Sequence, residues 1–125
     1  ATTEIYTLSL HDALPILTKD HSWVEEMVKK GELTESQARI HPQKNIITRA
    51  LGIDAVVHAD YFEIDVKPDD KILMCSDGLT NMVEDEDIEY IIRHSSSIEK
   101  AVENLVEKAN ENGGKDNITV ILVQI

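Results

Sequence analysis

Ten residues, Lys71 to Thr80 (KILMCSDGLT), constrain the fold more than any other stretch. Ile72, Leu73, Met74 and Cys75 form a short apolar run. Pro68, Asp69 and Asp70 precede it, and Ser76, Asp77 and Gly78 follow it. An apolar run of this length between turn signals predicts a fully buried strand. The strand ends in a carboxylate, Asp77, and Gly78 lets the backbone turn sharply straight after it. The mirror arrangement closes the chain. Gly113 and Gly114 make a turn, Asp116 follows, and Ile118 to Val123 reads as an apolar strand. If these strands are antiparallel neighbours, both carboxylates reach the same end of the sheet. Paired carboxylates repel unless a cation or a proton lies between them. Oxygen-only ligands suit a hard cation such as Mg²⁺ or Mn²⁺.

The elements around these strands follow from local chemistry. Ser22 to Lys30 is predicted as a helix, opened by a capping box of Ser22 with Glu25 and stopped by Gly31. Thr34 with Gln37 is a second capping box, and His41-Pro42 ends that short helix. Asn45 to Leu51 is expected to be a strand. Val56 to Val66 is expected to be another, because Phe62, Ile64 and Val66 alternate with Glu63 and Asp65. Lys67 to Asp70 is a turn, which suggests a hairpin into the central strand. Asp85 to Arg93 carries acids in its first turn and a base late, which suits the helix dipole. Ser96 with Glu99 is expected to cap a further helix, in which Ile98, Ala101, Val102, Leu105, Val106 and Ala109 recur at helical spacing. The order predicts an α+β fold, a mainly antiparallel sheet with flanking helices.

Composition narrows the partners. The 125 residues fit one small domain, and 42% are apolar, enough for a core that must be aliphatic because aromatics are few. The net charge of −12 argues against nucleic acid or an anionic membrane. The lone Cys75 has no disulfide partner, which points to a reducing, cytoplasmic setting. No apolar run is long enough to span a bilayer, and the N-terminus lacks the pattern of a secretory signal.

Four motifs carry a family resemblance: LTKDHS at Leu17–Ser22, ITRALG at Ile47–Gly52, SDGLT after the central strand, and GGKDNITV at its mirror. In order and rough spacing the chain resembles the bacterial form of the type 2C metal-dependent serine/threonine phosphatases. The resemblance covers Leu17 to Ile125, about the C-terminal half of such a domain. It implies about half of a four-layer α-β-β-α sandwich, with the helical pair after Ser22 as a flap beside the active site. It implies metal-dependent hydrolysis of phosphoserine and phosphothreonine in proteins. A pair of Mn²⁺ or Mg²⁺ ions would hold a bridging water that attacks phosphorus directly. Phosphorylated proteins are the implied substrates, and a serine/threonine kinase the implied opponent. A monomer is expected.

Residues 1–16 do not fit the family pattern. They lack its glycine–aspartate–serine–arginine turn, and IYTLSLHDALPI resembles translated sequencing-adapter read-through. They are expected to be a non-native leader, with residues 17–125 as the phosphatase part. The alternative is a genuine short strand over Ile5 to Leu10.

Asp77 taken alone is common turn punctuation, and Asp116 alone reads as a loop residue. Their pairing and their match to the family's metal-binding aspartates make both the candidate metal ligands, acting in catalysis through bound metal and water. The family takes its other ligands, and its phosphate-binding arginine, from the N-terminal half. The chain as given is therefore expected to be a partial site with weak metal binding and no useful catalysis. Asn117 either orients the loop or is a plain turn residue. Arg49 is expected in a structural ion pair, and His21 as structural or surface. His11, His41, His58 and His94 lack ligand spacing, and Glu84 to Asp87 reads as a solvated helix start. Cysteine-nucleophile chemistry would need an arginine where Asn81 stands, and aspartyl-phosphate chemistry a second aspartate where Leu79 stands. Two other outcomes stay open: a catalytically silent acidic partner-binding module, and a chain that does not fold stably.

Overall fold

In the computed structural model, which describes residues 3–8 and 16–125, the apolar run Lys71–Ser76 is the middle strand of a three-stranded sheet. The elements run β1 (Thr3–Leu8), α1 (Trp23–Lys29), α2 (Glu35–Ile40), β2 (Lys71–Ser76), α3 (Asp77–Thr80), α4 (Asp85–His94), α5 (Ile98–Glu111) and β3 (Val120–Gln124). Both pairings are antiparallel. Tyr6 lies opposite Leu73 on one side of β2, and Leu122 lies opposite Leu73 on the other. The chain divides into two compact units. One takes in β1, residues 16–19 and residues 65–125; the other spans residues 20–64.

In the sheet unit, side chains alternate across the pleat. Leu73 and Cys75 are buried, whereas Ile72 and Met74 on the other face are only half-buried. The expectation of a fully buried strand is therefore corrected. Helices cover one face of the sheet, and Ile121 and Val123 on the opposite face are exposed. The covered face meets Ile88 and Ile92 of α4 and Leu105 and Ala109 of α5, with Leu79 and Val83 between sheet and helices. Tyr6 of β1 completes this core at 1% exposure. The strand over Thr3–Leu8 overlaps the Ile5–Leu10 alternative, of which Ser9 and Leu10 lie outside the described residues.

Helix caps explain where the helices begin. Ser95 closes α4, its Oγ donating to Ile91 O at 2.6 Å. Ser97 opens α5, its Oγ accepting from Lys100 N at 3.1 Å. The expected cap at Ser96 is thus one residue early. Three serines in a row offer the same side chain, and only the turn between the helices selects one. Acids in the first turn of α4 and bases in its last complement the dipole, as expected.

In the unit over residues 20–64, Ser22 caps α1 through Glu25 N, and Thr34 with Gln37 forms a complete capping box on α2. The Trp23 and His41 rings sit 5.3 Å apart. Asn45 to Leu51 forms no strand. A single bridge pairs Ile47 with Ser22, flanked by Thr48 N donating to His21 O at 2.7 Å. Val56 to Val66 forms no strand either, and Phe62, Ile64 and Val66 are 50%, 38% and 39% exposed. Both expectations are corrected for one reason. Alternation marks a segment able to pair, but a strand exists only where a neighbour completes its ladder.

The Lys67–Asp70 turn is present, closed by Asp70 N on Lys67 O and by Lys67 N on the Asp70 carboxylate. Asp69 takes a left-handed conformation (φ 73°), which aspartate tolerates better than most residues. The turn leads to the end of β3 instead of an incoming hairpin strand: Asp69 N donates to Ile125 O, and Ile125 N to Asp70 O.

Candidate metal centre

Antiparallel pairing of β2 with β3 brings the two candidate ligands to one end of the sheet. Asp77 lies just past the end of β2, and Asp116 four residues before β3. Gly113 (φ 130°) and Gly114 (φ 50°) reverse the chain after α5, in conformations that favour glycine. Gly114 N donates to Ala109 O, and the Asn112 side chain donates to Met82 O at 2.8 Å, tying the loop to the segment after α3.

Gly78 is required for a reason different from the one expected. It sits inside α3 with no left-handed φ, so it makes no sharp turn. A Cβ there would overlap Asn117 O and stand 2.9 Å from Asn117 C. Glycine is needed because the backbone of the Asp116 loop lies directly against the Asp77 turn. The contact is fastened by Ser76, whose hydroxyl donates to Asn117 O at 3.2 Å and accepts from Thr119 N at 3.0 Å.

The two carboxylates differ in setting. Asp77 is buried, 8% exposed, and its Oδ1 has no hydrogen-bond partner. A buried carboxylate oxygen without a donor is an exception that calls for a cation, a water or a ligand. Asp116 is exposed, and one of its oxygens accepts from Asn117 N at 2.7 Å. Asn117 engages the site through its backbone, by that N–H and by its carbonyl. The oxygen donor set and the orphaned oxygen fit a hard divalent ion. The set is small: among the described residues no three His, Cys, Asp or Glu converge to hold a metal.

Arg49 makes the ion pair expected of it, and His21 contacts the same carboxylate. Arg49 Nη1 lies 3.1 Å from Asp60 Oδ1 and donates to His58 O at 3.1 Å. His21 Nε2 lies 2.8 Å from Asp60 Oδ2. The Arg49 guanidinium first, and the His21 ring second, hold the Asp60 carboxyl below its ordinary value of 3.8. A depressed carboxylate adds stability above its unfolded pKa, and that stability is lost as pH falls through the lower folded value. A side-chain NMR titration of Asp60 is thus expected to show a midpoint below 3.8 that moves back up in Arg49→Gln. His94 stacks on Tyr90 with centroids 4.0 Å apart. His11 lies outside the described residues.

Two residues escaped the sequence reading. Ser76 was visible only as part of a turn, because its partners are more than forty positions away. Asp20, within LTKDHS, accepts from Ser22 Oγ at 2.7 Å through Oδ2, while its Oδ1 is buried without a partner. The short Asp20-x-Ser22 spacing was the available signal.

Residues 33–125 match the family model of Stage II sporulation protein E (SpoIIE). A serine/threonine phosphatase, stp, of Listeria monocytogenes is 43% identical over 119 residues, 95% of this chain and 47% of the relative. The serine/threonine phosphatase structure from S. agalactiae superposes with a TM-score of 0.92 at 39% identity, over 98% of this chain and 50% of that one. The catalytic domain of the phosphatase PstP, solved with two manganese ions, superposes with a TM-score of 0.78 at 30% identity, over 98% of this chain and 49% of that one. The chain thus spans about half the length of the relatives it matches. With its α+β sheet, its paired aspartate loops and these matches, it belongs to the SpoIIE/type 2C family of bacterial serine/threonine phosphatases and corresponds to a C-terminal half of their domain.

Proposed function

We propose that Asp77 and Asp116 are metal-binding carboxylates of a protein phosphatase domain that hydrolyses phosphoserine and phosphothreonine. The observation that carries this is the buried, partnerless Oδ1 of Asp77, in a turn whose next residue, Gly78, lies against the backbone of the loop that bears Asp116. Mn²⁺ or Mg²⁺ bound there, as a pair in the full domain, supplies an activated water and neutralises phosphoryl charge. The chain's own part is to present two oxygen ligands from loops locked at one sheet end. Burial strengthens what Asp77 offers a cation, because water competes less there.

Two carboxylates make a weak site, so the chain by itself binds the ion loosely and turns over no phosphoester at a useful rate. On this reading residues 17–125 are the C-terminal part of the domain. The domain works as a cytoplasmic monomer on phosphorylated proteins, opposing a serine/threonine kinase. Among the described residues no helix is long and apolar enough to cross a membrane.

The test is a Mn²⁺ titration followed by paramagnetic broadening of backbone amides. Broadening is expected to centre on the Asp77 and Asp116 loops, and Asp77→Asn and Asp116→Asn should each remove most of it. Equal broadening in both variants would favour a silent acidic binding module. Phosphoester turnover by this chain that disappears in Asp77→Asn would overturn the partial-site reading.

A further inference from the structure

Ser76 stands at the N-cap of α3, where a serine ordinarily turns its side-chain oxygen onto an amide of the helix it opens. Ser76 makes no such bond. Its hydroxyl points across the strand pair, accepting from Thr119 N at 3.0 Å and donating to Asn117 O at 3.2 Å. Its own amide donates to Thr119 O at 3.0 Å. In an antiparallel pair, opposed residues of this kind exchange two backbone N–H···O bonds. At Ser76 and Thr119 the hydroxyl takes the place of the Ser76 carbonyl in one of them. The ladder thus ends in a side-chain clasp that grips the peptide groups on both sides of Ile118.

Each candidate ligand is one residue from this clasp: Asp77 follows Ser76, and Asp116 precedes Asn117. Gly78 removes the Cβ that would push the gripped carbonyl away. We propose that Ser76 is a positioning residue of the metal site, its hydroxyl setting the separation of the Asp77 and Asp116 carboxylates by holding the Asn117 carbonyl. A serine that leaves its own helix uncapped to fasten another loop breaks a local rule, and such breaks concentrate at functional sites. The inference rests on the reading of Asp77 and Asp116 as metal ligands.

The experiment uses the ¹⁵N-labelled 125-residue chain with Mn²⁺ alone as the probe. Ser76→Ala is expected to weaken Mn²⁺ binding roughly tenfold to a hundredfold, the usual loss when a group orienting a metal ligand is removed. Ser76→Thr keeps the hydroxyl and should restore binding. The Thr119 amide should exchange faster in Ser76→Ala, while amides of Ile88 and Leu105 in the core keep their protection. Mn²⁺ affinity unchanged in folded Ser76→Ala overturns the inference, and so does failure of a folded Ser76→Thr to restore it. If Ser76→Ala does not fold, Ser76→Cys, of similar volume but a weaker acceptor, decides by the same criterion. Absence of broadening in the wild type overturns the metal reading itself, and this inference with it.

Discussion

Gly78→Ala is expected to destabilise the chain by about 3 kcal/mol or more and to disperse the Mn²⁺ broadening around Asp77 and Asp116. A new Cβ at this position meets main chain, Asn117 O and Asn117 C, and no flexible side chain can give way. Overpacking of a close-packed site costs about 1–3 kcal/mol when neighbours can adjust. Here the neighbour is also held by Ser76, so the cost lies at or above the upper end. Relief would require the loop over Lys115–Ile118 to lift away, which separates the two carboxylates. Urea unfolding measures the first effect and amide broadening the second. A normal unfolding midpoint would mean that the loop does not lie where the structure has it. Gly52→Ala is the control: Gly52 has φ 86° but nothing within 4 Å of its added Cβ, so only local backbone strain is felt.

Leu105→Ala should lower stability by about 2–5 kcal/mol, the range for truncating a fully buried leucine. Leu105 is 0% exposed at the centre of the core, with Leu73, Ile88 and Ala109 in the same cluster. A cavity there removes contacts from the sheet and from both long helices at once. For a domain whose total stability is on the order of 5–15 kcal/mol, this is a large share. The urea midpoint should fall with an unchanged slope. Leu51→Ala, 88% exposed, should change stability by no more than about 0.5 kcal/mol. Equal effects at the two positions would contradict the placement of the core.

Both predictions turn on contacts that close only in three dimensions. What was legible in the chain itself was whatever short-range chemistry decides. The Thr34–Gln37 capping box spans three positions, and the structure forms it in full. The stripe through Ala101, Leu105 and Ala109 lies on the face that the helical period assigns, because burial of an apolar stripe is what stabilises a surface helix. The strand that stops just before Asp77 and the glycine turn before Asp116 were readable for the same reason, an apolar run bounded by turn formers. Four motifs in order carry the family resemblance, each of them a short local pattern.

The tertiary structure alone decided where each strand finds a partner and what each turn residue serves. Phe62, Ile64 and Val66 alternate as a strand would, yet no ladder forms there, since alternation records a side-chain preference and pairing needs a second backbone. Ile72 and Met74 are as apolar as Leu73 and Cys75, but helices cover only one face of the sheet. Gly78 looked like a turn glycine and is a clearance glycine, a distinction that depends on Asn117, thirty-nine positions later. The orphaned oxygen of Asp77 is of the same kind. A sequence shows that a carboxylate is present, but burial and the absence of a donor are properties of everything packed around it, and these support the proposed metal site.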